Sequence, residues 1–295
     1  MRDVISVFEF LLMNSNCFAG KTAVVTGAGG TLCSAVAKEL ARQGARVALL
    51  GRTPASLEGV AREIHAAGGI ALPVACDVVN PASVEQAREI VSRELGACHF
   101  LINGAGGNQP EAVTTLTEFS PAELGAEKPE GRRGFFDLSL TKFDDVVRIN
   151  TLGTVIPCQV FGREMAALGR GSILNFASMN SYRPLTRVPA YAMAKAGVVN
   201  FTQWLAVYLA PANIRVNGVA PGFFVNDRSR KILMTLDGGL SARGQNVMGH
   251  TPLKRFGEAQ ELLGAVCWLL DDERAGFVTG VTLPVDGGFL ASSGI

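Results

Sequence analysis

The sequence predicts an α/β fold, a single doubly wound parallel sheet with helices on both faces. From Lys21 onward, short apolar, β-branched runs recur between longer amphipathic stretches. The runs lack the alternation of a half-exposed strand, as expected where both faces of a sheet are covered. At 295 residues, 48% of them apolar, the chain is long enough for one large core and too short for two full-sized domains.

Thr22–Thr26 reads as a buried strand and Leu32–Gln43 as a helix, with Gly44 just past its end. A second strand, Arg46–Leu50, is followed by a helix over Ser56–Ala67 that Gly68-Gly69 closes. Ile70–Ala75 is the third strand, and Asn80-Pro81 opens a helix over Ala82–Leu95. His99–Asn103 is the fourth strand. The pattern resumes with a helix over Phe143–Leu168, a strand at Ser172–Ala177, a helix over Ala190–Ala210 and a strand at Ile214–Val219. A helix near Ala259–Leu270 and a strand at Val281–Val285 complete it. Right-handed crossovers turn such a series into a Rossmann-like domain. Its expected span is 19–295, with 1–18 as an N-terminal extension.

Two segments break the rhythm. Gly107–Asp137, rich in Gly, Pro, Glu and Arg, reads as an inserted loop, and Phe223–His250 as a non-periodic, lid-like stretch. Both leave the carboxyl ends of strands, where doubly wound folds bind ligands. At the amino end, Val4–Met13 is apolar but broken by Ser6 and Glu9. It is too short for a bilayer span and lacks a secretory cleavage pattern. A mobile extension, a helix packed on a neighbouring subunit and a misplaced start all remain open. Cytoplasm is the expected location.

A balance of 27 basic and 26 acidic residues argues against a dominant surface for nucleic acid or acidic membranes. The six cysteines form no CxxC pair and no Cys/His cluster with zinc-ligand spacing, so no metal site is expected. Scattered cysteines suit a reducing compartment, where they act as small buried apolar residues. His65, His99 and His250 are too dispersed for a triad. Trp204 and Trp268 fall on apolar helix faces and are expected to pack in the core.

The first strand runs through Thr26-Gly27-Ala28-Gly29-Gly30-Thr31-Leu32 into a helix. Glycines there let the backbone turn sharply and approach a pyrophosphate, which the helix N-terminus attracts. The second strand ends Leu49-Leu50-Gly51-Arg52-Thr53, without the acid that bonds a ribose 2′-hydroxyl in NAD-preferring folds. Arg52 suits a 2′-phosphate instead, so NADP(H) is favoured, with NAD(H) as the alternative.

Tyr191 and Lys195, four apart, share one helical face, where the ammonium is expected to lower the phenol pKa from about 10. Ser178 ends the preceding strand and can donate to a carbonyl as charge develops on its oxygen. With Cys76-Asp77-Val78, Asn103-Gly104-Ala105-Gly106, Asn150, Pro221-Gly222 and Pro284-Val285-Asp286-Gly287-Gly288, the chain from Lys21 onward resembles the short-chain dehydrogenase/reductase family.

That resemblance implies roles. Tyr191 is the acid in reduction and the base in oxidation, and Lys195 holds the nicotinamide ribose. Ser178 orients the carbonyl, and Asn150 anchors a water chain to Lys195. Gly27, Gly30, Thr31 and Leu32 form the phosphate turn, and Asp77 with Val78 meets the adenine. Asn103, Ala105 and Gly106 underlie the cofactor, while Pro221, Gly222 and Phe224 flank the nicotinamide. The chain departs from the family pattern at Thr31, Cys33, Gly104 and Asn226.

A narrower resemblance rests on Cys33-Ser34-Ala35, Gly104-Ala105-Gly106-Gly107-Asn108, Ser178-Met179-Asn180 and the run Arg183-Pro184-Leu185-Thr186-Arg187. Asn200-Phe201-Thr202-Gln203-Trp204-Leu205-Ala206, Gly222-Phe223-Phe224 and the insertion add to it. It is similar to sugar-acid reductases that interconvert D-fructuronate and D-mannonate. A hexuronate is an anion dense in hydroxyls. Arg183 and Arg187 are expected to grip its carboxylate, and Asn108 and Asn180 its hydroxyls, with Arg228 and Arg230 as weaker candidates. The alternatives are another reductase of the family, acting on 3-oxoacyl-carrier-protein or a ketogluconate or ketose, and a non-catalytic dinucleotide-binding regulator. The family resemblance also implies a homotetramer or homodimer.

Overall fold

Alternate residues of the first strand bury themselves on opposite faces of one sheet. In the computed structural model, which describes residues 17–125, 131–225 and 227–292, Ala23 and Val25 of β1 (Thr22–Thr26) join one apolar cluster and Val24 the other. The same alternation runs through β4 (Cys98–Asn103) from Phe100 onward, where Phe100 and Ile102 face one way and Leu101 the other. Seven parallel strands are ordered β3-β2-β1-β4-β5-β6-β7. The rest are β2 (Arg46–Gly51), β3 (Ile70–Ala75), β5 (Gly171–Phe176), β6 (Ile214–Pro221) and β7 (Thr282–Val285). The expected Rossmann-like sheet is therefore present.

Helices α1 (Thr31–Arg42), α2 (Pro54–Ala66) and α8 (Ala259–Leu270) cover one face. Helices α3 (Pro81–Leu95), α4 (Leu140–Leu168) and α5 (Pro189–Leu209) cover the other. Strand order reverses between β1 and β4, which leaves a crevice at their carboxyl ends. Caps move the expected boundaries slightly. Ser139 accepts from the Lys142 N–H at 3.3 Å and starts α4 before Phe143, and Asn80 caps α3.

The segment 223–250 is more regular than its sequence suggests. It contains α6 (Asp227–Leu233) and α7 (Ala242–His250), and Ser241 caps α7 by accepting from Gly244 N–H at 3.1 Å. Two short helices separated by Gly238-Gly239 never develop enough turns to show a period. Among the described residues between β4 and α4 the chain forms only short 3-10 turns, among them Pro110–Ala112. Most of the proposed extension, 1–16, lies outside the described residues, but Phe18 is buried and meets the Phe100 ring edge-on at 5.1 Å.

The tryptophans correct a reading. Trp204 is 57% exposed, stacked on Phe201 and Tyr208 along the outside of α5, and Trp268 is 40% exposed. Apolar composition on α5 is nearly continuous, so the sequence does not single out which face meets the sheet. Among the described residues no helix is long and apolar enough to cross a membrane, and no group of three or more His, Cys, Asp and Glu could hold a metal ion.

Candidate active site

The carboxyl ends of β1, β4, β5 and β6 open on a cleft of about 520 Å³. Its near wall is the turn after β1, with Gly27, Gly30, Thr31, Leu32 and Cys33. Gly27 has φ +67°, and a Cβ there would lie 2.9 Å from the backbone of Ala105. Only glycine lets this turn form and the two strand ends close together. Thr26 clasps them, its Oγ1 accepting from the N–H groups of Gly104 and Ala105, both at 3.1 Å. Gly30 precedes α1 without any side-chain cap, so no side chain competes for the first-turn N–H groups.

Two departures from the family pattern compensate one another. A Cβ at Gly104 would lie 2.1 Å from Cys33 Sγ, so the thiol occupies the space that a side chain at 104 would need. Burial pushes the Cys33 thiol up to about 12, with Lys195 acting weakly in the other direction, so it packs as a neutral group. Gly104→Ala is expected to cost about 2 kcal/mol by overpacking. Cys33→Ala should relieve most of that cost in the double variant, and a urea-unfolding double-mutant cycle measures the coupling. Additive losses would show that the two sites are independent.

The far wall brings together the four residues expected to be catalytic. Ser178, Tyr191, Lys195 and Asn150 all line the cleft. Ser178 is buried at the end of β5, where its Oγ accepts from Asn180 N–H at 3.2 Å. Lys195 is buried on α5; its Nζ donates to the Phe176 carbonyl at 2.5 Å and lies 5.7 Å from the Tyr191 ring centre. Ser181 Oγ donates to the Lys195 carbonyl at 2.8 Å, which pins this turn of α5 to the segment after β5. Asn150 is fully buried. Its Nδ2 donates to the carbonyls of Gly107 and Val146, each at 2.7 Å, and its Oδ1 accepts from Gly107 N–H at 3.2 Å. A Cβ at Gly106 would meet Asn150 Oδ1 at 2.5 Å, so this floor also requires glycine.

The electrostatics differ from the simple pairing expected. Burial raises the Tyr191 phenol above its ordinary value, and the Ser178 side chain opposes that shift. The Lys195 ammonium is turned to the Phe176 carbonyl. Burial also holds Lys195 itself down to about 8, with a smaller upward effect from Cys33. Both groups are desolvated by the same wall, and desolvation favours their neutral forms.

Pro221 and Gly222 line the cleft too; a Cβ at Gly222 would meet Asp286 Cα at 2.6 Å, so the end of β7 supports this edge. The other expected residues are not among those that line the cleft. Arg52 is exposed at the end of β2. Asp77 Oδ1 accepts from Val79 N–H at 3.2 Å, and Val78 is buried against α4 at Gly153. Asn103 is a clamp in the core, its Nδ2 donating to Asn175 Oδ1 at 2.9 Å and facing Cys158 Sγ at 3.1 Å. Phe224 packs its ring on Gly257. Asn108 Oδ1 accepts from Gln109 N–H at 2.9 Å, and the buried Asn180 accepts from Leu185 N–H at 2.6 Å. Arg183 donates to the Ser292 carbonyl, and Arg187 donates through Nε to the Thr114 carbonyl at 2.8 Å. Arg230 is exposed, and the side chain of Arg228 is outside the described residues. His250 bonds within its own helix, to the Asn246 carbonyl.

Comparison with known proteins agrees with this geometry. A profile described as short chain dehydrogenase matches residues 21–235. The uncharacterized oxidoreductase UxuB of Bacillus subtilis (strain 168) is 46% identical over 277 residues, 94% of this chain and 97% of that protein. A crystal structure of a provisionally assigned D-mannonate oxidoreductase from Haemophilus influenza, with bound NAD, superposes with a TM-score of 0.90 at 41% identity, covering 97% of this chain and 100% of that one. A gluconate 5-dehydrogenase from Burkholderia cenocepacia, in complex with NADP and tartrate, gives a TM-score of 0.79 at 27% identity over 94% of this chain and 98% of that one. The profile match, the parallel sheet and the grouped Ser178, Tyr191 and Lys195 make one statement: this chain is an oxidoreductase of the short-chain dehydrogenase family.

Proposed function

We propose that this chain transfers a hydride between a nicotinamide dinucleotide and a sugar acid, interconverting D-fructuronate and D-mannonate. The observation that carries the chemistry is Tyr191 beside Ser178, with Lys195 below, in a cleft walled by backbone. The observation that favours the substrate is the 41% identity, over nearly the whole chain, to the protein described as a D-mannonate oxidoreductase.

The residues present fit a dinucleotide. Gly27 and Gly106 let the cradle's backbone close against Ala105 and Asn150, and the uncapped start of α1 faces the cleft with N–H groups suited to a pyrophosphate. When bound, the nicotinamide supplies or accepts the hydride. Gly30, Thr31 and Leu32 would hold the phosphates, and Asp77 and Val78 the adenine end. Ala105, Gly106, Pro221, Gly222 and Phe224 would hold the remainder. Ser178 orients the carbonyl oxygen. Tyr191, kept protonated by burial, gives its proton to that oxygen in reduction and takes it back in oxidation. Asn150 fixes Gly107 and so the strand end beneath the reacting carbon.

We infer a preference for NADP(H), with NAD(H) as the alternative. Arg52 is exposed at the end of β2 and no acid stands beside it in sequence. Arg52→Ala is expected to weaken NADPH about 10-fold and NADH less than about 2-fold, from loss of one charge-assisted contact. Equal losses in a fluorescence titration would remove the 2′-phosphate role. The stacked Phe201, Trp204 and Tyr208 on the outside of α5 support a homotetramer or homodimer, and six free cysteines support a reducing, cytoplasmic location.

The test is a substrate panel. With NADPH, D-fructuronate should be reduced well above 3-oxoacyl thioesters and neutral ketoses, and D-mannonate should be oxidised in reverse. Preference for a thioester would replace the sugar-acid reading.

A further inference from the structure

Tyr191 stands in the first turn of α5, the part of a helix least able to hold itself. The helix begins at Pro189, and Val188 before it offers no side-chain cap. What holds this turn comes from the insertion between β4 and α4. Thr114 grips Arg187, two residues before the helix, from both directions. Its N–H donates to the Arg187 carbonyl at 2.9 Å, and its carbonyl accepts from Arg187 Nε at 2.8 Å. Arg187 has φ +78°, a left-handed conformation that strains any residue bearing a Cβ. The two bonds keep the chain in a shape that it would otherwise leave. Ala112, fully buried in the 3-10 turn Pro110–Ala112, packs with Val146 and Ala190 in the cluster that the Tyr191 ring joins.

A second arginine ties this support together from behind. Arg133 donates through Nη1 to the Pro110 carbonyl, and to the Val113 carbonyl at 3.4 Å, so it spans the turn that carries Ala112. Its N–H donates to Thr115 Oγ1 at 2.7 Å, and its carbonyl accepts from Thr115 N–H at 2.8 Å. The neighbours Thr114 and Thr115 therefore bond one to the start of the catalytic helix and the other to the outer limb of the insertion. Neither Arg133 nor Arg187 lines the cleft.

We propose that the insertion is the seat of the catalytic tyrosine, with Arg187 and Arg133 as positioning residues that hold Thr114 and Ala112 against the first turn of α5. They set where the phenol stands relative to Ser178 without touching substrate or nucleotide. Arg187 thereby has a task other than the grip on a carboxylate expected from the sequence. The seat rests on the reading of Tyr191 as the acid, and not on the identity of the sugar acid.

The experiment measures oxidation of D-mannonate and of its neutral amide, with amide hydrogen exchange over residues 188–195 in the nucleotide-loaded proteins. Arg133→Ala should lower kcat about 10-fold with KM within about 2-fold, equally for acid and amide, and speed exchange at the start of α5 about 10-fold. Arg133→Lys restores one charged donor and should recover part of both. Glycine accepts φ +78° without strain and keeps its carbonyl bond to Thr114, whereas alanine keeps the strain and loses the guanidinium. Arg187→Gly should therefore lose about 3-fold in kcat and Arg187→Ala about 10-fold. A loss at Arg187 that falls on KM and on the acid alone would make that residue a carboxylate ligand and overturn the seat. Unchanged kcat and exchange in Arg133→Ala would overturn it too, and a lowered melting temperature there would mark a purely structural contact. Full turnover by Tyr191→Phe would overturn the acid and with it the seat. If the wild type oxidises no D-mannonate, the sugar-acid reading falls, and exchange in the same variants still decides the seat.

Discussion

Replacing Tyr191 with Phe is expected to lower turnover about 10³-fold in both directions while nucleotide affinity changes less than about 3-fold. The variant keeps the ring that packs with Ala112, Val146 and Ala190, so the wall of the cleft stays in place. Only the exchangeable proton goes. Stopped-flow reduction and a nucleotide titration check the two halves. Retained turnover would remove Tyr191 as the acid. Ser178→Ala gives a finer readout on the same group. Ser178 acts on the phenol to lower a pKa that burial has raised. Its removal should therefore move the ascending, acid-side limb of the oxidation pH profile, along which the phenolate forms, to higher pH. A limb that stays put would mean that Ser178 contacts substrate without tuning the phenol.

Much of this site was legible in the sequence because backbone requirements leave marks on composition. Gly27 and Gly106 are glycines because Ala105 and Asn150 occupy the space of a Cβ. The sheet was legible because strands such as Val24–Val25 and Leu101–Ile102 are apolar toward both faces. Other features left no mark. Cys33 and Gly104 read as two separate departures, although the thiol of one fills the space of the other. The spacing of Tyr191 and Lys195 located the pair correctly but not the direction of the ammonium, which a carbonyl on β5 decides.

Lys195→Met is expected to abolish turnover by about 10³-fold and yet change stability in a direction that isolates the buried charge. Lys195 is 4% exposed, and the one hydrogen-bond partner of its ammonium among the described residues is the neutral Phe176 carbonyl. Its folded pKa of about 8 lies below the ordinary lysine value of 10.5 that applies when the chain unfolds. Between those values the unfolded chain holds a proton that the folded chain has released, so unfolding free energy climbs with pH through that window. Below about pH 8 the folded protein carries the full desolvation cost, of order 3 kcal/mol. Methionine keeps the apolar stem and has no charge to desolvate. The wild type should therefore gain about 3 kcal/mol relative to Lys195→Met between pH 7 and pH 10.5, with every other titration cancelling in the difference. Urea unfolding of the nucleotide-free proteins at several pH values measures it. Parallel curves would mean that Lys195 is already compensated in the folded chain. A rising difference would show that this wall is strained toward a neutral amine, the strain that binding a polar ribose beside it relieves.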